Sequence, residues 1–168
     1  MSGVLAVLAA VTLNWFQPQK LFYDQRVDEA LPGAATETTS STAGPGPVSA
    51  AEPQPLPLAS GTFVSREHET SGTARVLRLP DGQVIVRFEG FATSNGPVLV
   101  VWLSRVPAHA ENDAFGDDHL VLGALKGNVG DQNYVIPAGV DPLAYTSVVV
   151  WCDRFHVAFG AADLTSST

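Results

Sequence analysis

The fold is decided by residues 73–88, which read TARVLRL (73–79), PDG (80–82) and QVIVRF (83–88). Apolar side chains alternate in the last run and place Val84, Val86 and Phe88 on one face, a period of two that is typical of a β-strand. The three residues between the runs form a tight-turn signal, with glycine where the backbone needs a positive φ. This stretch therefore predicts an antiparallel hairpin.

Further strand signals lie on both sides of this hairpin. Short apolar or alternating runs occur at residues 61–65, 98–103, 119–125, 132–136, 146–151 and 155–159. The run at 98–103 is apolar on both faces, which predicts a central strand. No segment keeps a 3.6-residue period, and the chain has no internal repeats. The pattern predicts an all-β fold, a single antiparallel β-sandwich or barrel domain over residues 60–168.

Composition narrows the class of protein. The chain has 168 residues, 45% of them hydrophobic and 15% charged, and a net charge of −8. This is enough apolar material for one core with appendages. An acidic chain repels phosphate backbones, so we expect no nucleic acid partner. A single cysteine excludes disulfide-dense scaffolds and cysteine-rich zinc sites.

The first 31 residues predict a membrane anchor. Residues 3–16 are apolar and end at Trp15 and Phe16, like an interfacial belt, although the run is shorter than the roughly 20 residues of a full span. We expect a short apolar helix followed by a juxtamembrane segment. The membrane would then be a partner, and the β domain would lie on the extracytoplasmic side of a single-pass bacterial envelope protein. The alternative is a cleaved signal peptide and a secreted domain.

Residues 32–59 predict a disordered linker. They hold six of the twelve prolines, together with many Ser, Thr, Ala and Gly residues. Such a composition cannot bury enough apolar surface to offset its ordering entropy. We expect an extended spacer between the anchor and the β domain.

Cys152 is the residue on which function depends. It cannot form a disulfide within the chain, because no second cysteine exists. It continues an apolar strand whose parity places it with Val148 and Val150, opposite Trp151. Three readings stay open: a buried inert thiol, a redox or ligating thiolate, and a bridge to a second molecule.

Other polar residues offer weaker signals. His68 lies between Glu67 and Glu69, which would stabilise its imidazolium form. Residues 111–119 are acidic but lack the spacing of an EF-hand, so they predict a solvated loop, and we expect no metal site. The chain contains no nucleophile elbow, phosphate-binding loop or dinucleotide fingerprint. No motif in the sequence therefore supports a hydrolase.

Four blocks of the β domain resemble the DM13 family of electron-transfer-type β domains. They are residues 61–74, 91–103, 122–137 and 147–160. The last contains the run W-C-D-x-F-x-V-x-F-G, which is the most specific of the four. The likeness spans residues 61–164.

The resemblance implies that Cys152 is the redox-active residue or the ligand of a redox cofactor, haem or another group. It also implies that His68, which matches less tightly, and Trp151 help to bind that cofactor. The electron partner would be an unidentified redox protein, and whether the chain is an enzyme stays open. The alternative is a non-enzymatic extracytoplasmic ligand-binding or adhesion module in which the cysteine is structural.

A functional Cys152 needs a polar or aromatic neighbour. A thiolate in a purely apolar pocket is too costly without a cation, a hydrogen-bond donor or a metal. We therefore expect His68 beside it, or else Trp102 or Tyr134 from another strand.

Overall fold

The computed structural model describes residues 24–33, 53–116 and 118–167. Within these ranges two antiparallel sheets pack face to face as a β-sandwich, which confirms the all-β prediction and resolves its choice between sandwich and barrel. The predicted N-terminal helix and most of the predicted linker lie outside the described residues. No helix in the described ranges is long and apolar enough to cross a bilayer.

The first sheet has five strands in the spatial order β10-β1-β3-β4-β7. Every neighbouring pair in it is antiparallel. Its strands are β1 (Leu56–Thr62), β3 (Thr70–Arg78), β4 (Val84–Thr93), β7 (Val129–Ile136) and β10 (Thr165–Ser166).

The second sheet has the order β2-β9-β8-β5-β6 and is also antiparallel throughout. Its strands are β2 (Val64–Ser65), β5 (Leu99–Ser104), β6 (His119–Ala124), β8 (Ser147–Cys152) and β9 (Val157–Asp163). β5 pairs on both sides, as its apolar sequence predicted. The predicted last strand began at residue 155, but β9 begins at Val157, because residues 153–156 form a turn in which His156 has a φ of 54°.

The hairpin of β3 and β4 forms as its sequence predicted. Val76 pairs with Val86, and the turn closes through hydrogen bonds from the Leu79 N–H to the Gln83 carbonyl and from the Gly82 N–H to the Leu79 carbonyl, both under 3.0 Å. Gly82 has a φ of 89°, a conformation that favours glycine.

The core lies between the two sheets. Aromatic rings at its centre meet edge to face, with 4.9 Å between the centroids of Phe63 and Phe88 and 5.1 Å between those of Phe63 and Phe91. From the second sheet, β8 contributes Val148, Val150 and Cys152, all with no exposed surface.

The outer face of the second sheet is covered as well. The segment between β5 and β6 lays Ala108 and Phe115 over Trp102 and Trp151, and it contains the one-turn helix α1 (Asn112–Phe115). The acidic side chains of this segment that the structure describes are exposed, as expected of a solvated loop, but its apolar side chains form a second small core.

Residues 24–33, which we name the strap, lie along β7 rather than apart from the domain. Arg26 and Val129 form a parallel bridge, and Leu31 packs against Leu77, Leu79 and Ile85 on the outer face of the first sheet. At the other end of the predicted linker, β1 begins at Leu56, four residues before the expected start of the domain. Backbone pairing explains both differences, because it can order polar and proline-rich residues that bury little apolar surface.

Candidate functional site around Cys152

Cys152 is the last residue of β8 and has no exposed surface. It pairs with Leu99 on β5 and with Val157 on β9, so its backbone is fixed on both sides. The thiol donates a hydrogen bond to the carbonyl oxygen of Pro97, with 3.2 Å between Sγ and O. Its side chain joins the inner core, as strand parity predicted.

Residues 95–98, which we name the cover loop, lead into β5 and include the Pro97 carbonyl that binds the thiol. Val98 has a φ of 54°, an unfavourable conformation for a β-branched residue, and its side chain is 60% exposed. Its carbonyl accepts a hydrogen bond from the Asp153 N–H at 3.1 Å. Gly96 lies so close to Phe159 that a Cβ on it would be 2.6 Å from the ring. The cover loop is therefore held against the core while carrying backbone strain.

His68 reaches this region through Phe159. The centroids of the His68 and Phe159 rings are 3.8 Å apart with an interplanar angle of 34°. The backbone N–H of His68 also donates to the Phe159 carbonyl at 3.3 Å. Phe159 in turn contacts Gly96 of the cover loop. A chain of contacts thus runs from His68 through Phe159 to the cover loop, whose Pro97 carbonyl accepts the hydrogen bond from Cys152.

Trp151 and Trp102 lie on the opposite face of the second sheet from Cys152. Their rings stack with centroids 4.6 Å apart, and the His119 ring stacks on Trp102 at 3.8 Å. The indole Nε1 of Trp102 is buried and has no hydrogen-bond partner in the part of the chain that the structure describes. Alternation along β5 and β8 separates this stack from the thiol, so the expectation that Trp102 lies beside Cys152 is wrong.

Tyr134 shares the inner core with Cys152 but uses its hydroxyl elsewhere. The hydroxyl donates to Gln132 Oε1 at 2.7 Å and accepts from the Lys126 N–H at 3.1 Å. Burial raises the pKa of Tyr134 well above its ordinary value of 10, so the phenol stays protonated near neutral pH.

A cavity of about 280 Å³ adjoins the cover loop. Its walls include Gly96, Val98 and Leu99, and Gln25 of the strap closes one side. A larger cavity of about 410 Å³ lies at the end of β4 and β7, lined by residues 82–84 and 135–140, none of them titratable. The smaller cavity is the one that adjoins the cover loop, whose Pro97 carbonyl binds the Cys152 thiol.

A haem does not fit at Cys152 in this arrangement. The sulfur has no exposed surface, and the adjoining cavity is below the roughly 300–1,000 Å³ of typical ligand pockets. The His68 ring packs on Phe159. Across residues 24–33, 53–116 and 118–167, no three His, Cys, Asp or Glu side chains gather closely enough to hold a metal ion.

Sequence reasoning missed the Pro97 carbonyl, which binds the thiol, and Phe159, which contacts the cover loop. Both lie in segments that resemble the family, but neither residue carries a titratable side chain. Gly96-Pro97 just before an apolar run was the available signal, because a proline beside a glycine marks a loop that approaches its neighbours closely.

Comparison with known proteins gives one match. A family model described as "Electron transfer DM13" matches residues 62–164, which include His68, Trp151 and Cys152. No curated protein and no solved structure matches the chain.

Proposed function

The chain belongs to the DM13 electron transfer family, and from this premise we propose that its β domain is a redox module in which Cys152 gains and loses the electrons. The observation that carries the proposal is the position of the thiol. The only sulfhydryl of the chain is hydrogen-bonded to a strained cover loop, and residues of that loop line a cavity. A small displacement of residues 96–98 would expose it without unfolding the sheets.

The chemistry that fits a single thiol is exchange with a disulfide of a second molecule. The Cys152 thiolate, after losing its proton to solvent, attacks one sulfur of the partner's disulfide. A bond to Cys152 Sγ forms, the partner's S–S bond breaks, and the other sulfur leaves as a thiolate. Cys152 is oxidised to a mixed disulfide while the leaving sulfur is reduced. A thiol of the partner reverses the step.

His68 and Trp151 support this thiol in different ways. His68 acts through Phe159, whose ring contacts the cover loop, so it sets how readily the loop moves. Trp151 precedes Cys152 and anchors the other face of β8 through its stack with Trp102. We assign both as positioning residues for Cys152.

The module belongs, in this proposal, on the outer side of a bacterial envelope. The apolar run of residues 3–16 supports an anchor, and the strap follows it after a few residues. Protease treatment of intact spheroplasts tests the placement. The β domain should be digested without lysis, whereas protection until lysis would contradict it.

A second function is favoured by the burial of the cysteine. A thiol with no exposed surface that donates to a backbone carbonyl also suits a purely structural residue. The domain would then be a non-enzymatic ligand-binding or adhesion module.

A redox titration separates the two functions. The full chain is equilibrated in glutathione buffers of increasing potential, quenched with acid, and the mixed disulfide is counted by mass spectrometry. The redox function predicts a reversible transition of one thiol, absent in Cys152→Ser. A His68→Gln variant should shift the rate of approach to equilibrium but keep the transition. A thiol that stays reduced at every potential until the chain unfolds would leave only the structural function.

A further inference from the structure

The strap meets β7 as a peptide ligand meets the open edge of a sheet. The Val27 N–H donates to the Val129 carbonyl and the Glu29 N–H donates to the Asp131 carbonyl, each at 2.9 Å. The Val129 N–H donates back to the Gln25 carbonyl at 3.4 Å. This alternation is the pattern by which an extended peptide adds a strand to an exposed edge.

Lys126, just before β7, and Asn133 on β7 form a pocket that binds one carboxylate of the strap. Glu29 accepts hydrogen bonds from Lys126 Nζ at 2.7 and 2.9 Å and from the Asn133 N–H at 2.7 Å. Partial burial acts to raise the pKa of Glu29, but the hydrogen bond from Lys126 and that from Asn133 outweigh it, and the pKa lies below its ordinary value. The Arg87 side chain also donates to the Glu29 carbonyl at 3.0 Å.

Two glycines of the acceptor leave room for the strap backbone. A Cβ on Gly127 would collide with the Gln25 carbonyl, and one on Gly130 would collide with the Val27 carbonyl. Around Gly127, the nearest atoms that such a Cβ would meet all belong to the strap. The edge is therefore shaped for a second backbone at this position.

Asn128 fixes the register at the start of the strap. Its side chain accepts from the Gln25 N–H at 2.7 Å and donates to Asp24 at 2.8 Å. At the other end Leu31 occupies the apolar patch of Leu77, Leu79 and Ile85. The ligand is thus an extended acidic peptide with an apolar residue two positions after the glutamate that Lys126 binds.

We propose that the β7 edge is a strand-acceptor site and that copies of this chain exchange straps through it, so that the strap of one copy binds β7 of a second. Nineteen residues, 34–52, connect Gly33 to Pro53. A connection of that length reaches up to about 65 Å at full extension. A domain of this size has a radius of gyration of about 13 Å, so the strap of one copy can reach the edge of another. Exchange of an identical element keeps every contact described above and is a common route to dimers.

Complementation between two defective copies tests the exchange. The first copy carries Val27→Pro, which removes the N–H that bonds Val129, and keeps an intact acceptor. The second copy carries Gly127→Val, which blocks the acceptor and keeps an intact strap. Both are full chains, the first labelled with ¹⁵N and the second unlabelled. The amide signal of Asn133 in the first copy reports docking, because that N–H donates to Glu29.

We expect the Asn133 signal of the Val27→Pro copy to leave its wild-type position and to return to it as the Gly127→Val copy is added, with a 1:1 complex by native mass spectrometry. A second copy that carries both substitutions is the matched control and should leave the signal displaced. Arg26→Ala on the strap and Gly116→Val outside the acceptor should each behave like wild type. The Arg26 side chain forms an exposed ion pair with Asp28, and among the described residues the nearest atom to a Cβ on Gly116 is the Asp113 carbonyl oxygen at 3.6 Å.

Two results would overturn the proposal. A signal that stays displaced at a large excess of the Gly127→Val copy, while the wild-type chain is docked, would show that the strap binds only its own domain. If Val27→Pro alone leaves the signal in place, Glu29→Lys is used instead. A docked position in both variants would show that the strap is not a separable ligand.

Discussion

The thiol of Cys152 donates its hydrogen to the carbonyl oxygen of Pro97, 3.2 Å away. This contact ties the thiol to the cover loop, and the sulfur has no exposed surface. Attack on a disulfide therefore requires the cover loop to move away first. Under the proposed redox function, the rate at which Cys152 reacts therefore depends on how readily residues 95–98 move away from it.

Replacement of Cys152 should separate stability from redox activity. Cys152→Ser keeps a donor for the Pro97 carbonyl, and Cys152→Ala leaves only a small void, so each should lower the free energy of unfolding by about 1–2 kcal/mol. Both should remove all thiol redox signal. Urea unfolding monitored by tryptophan fluorescence measures the first effect. A loss above about 4 kcal/mol would contradict this prediction and would show that the Cys152 side chain is essential to the stability of the core.

Relief of the strain at Val98 should not cost stability. A left-handed conformation costs a side chain about 1–2 kcal/mol, and Val98→Gly removes that cost while losing about 0.5–1 kcal/mol through the freer unfolded chain. We expect unchanged or slightly higher stability by urea unfolding. Val121→Gly, at another exposed valine but within β6, should lower it by about 1 kcal/mol. Equal losses in both variants would contradict the strain.

Docking of the strap should depend on pH through Glu29. The pKa of Glu29 in the folded chain is lowered from its ordinary value of 4.5, so its stabilising contribution is complete above that value and is lost as pH falls through the folded pKa. The amide signal of Asn133 should move toward its undocked position in acid. Glu29→Gln should remove this transition. A transition of equal size in the glutamine variant would assign it to another group.

Arg87 should be the most costly arginine to replace. It is 6% exposed and binds Asp131 at 2.7 Å, Glu89 at 3.0 Å and Asn133 at 3.0 Å. Arg87→Met removes the cation that pairs with the partly buried Asp131 and leaves Glu89 with only the more distant Arg75, so we expect a loss of about 2–4 kcal/mol in urea unfolding. Arg75→Met is the control, because that side chain is more exposed and lies 3.4 Å from Glu89, and it should cost less than about 1 kcal/mol. Equal losses would contradict the role of burial.

The strands were predictable because their signal is local. Alternation at Val84, Val86 and Phe88 and the turn at Gly82 specify the hairpin without knowledge of the rest of the chain. The parity of Cys152 and Trp151 on β8 was predictable for the same reason. The start of β9 was missed by two residues, because a positive φ at His156 is not encoded by a glycine there.

The strap and the surroundings of the thiol were not predictable in the same way. Residues 24–33 bury little apolar surface, and their order comes from pairing with β7, about a hundred residues away. Likewise, the Pro97 carbonyl reaches Cys152, and Phe159 reaches Gly96, only through the tertiary packing of the cover loop. Tertiary contacts of this kind leave no periodic trace in the sequence.

The most direct test of the redox function compares two rates in the native full chain. One is the rate at which Cys152 forms a mixed disulfide with glutathione disulfide, and the other is the rate of global unfolding extrapolated from urea. Opening of the cover loop predicts a thiol reaction many times faster than unfolding, and reversible by reductant. A thiol reaction that proceeds only at the rate of global unfolding would contradict a redox role for Cys152.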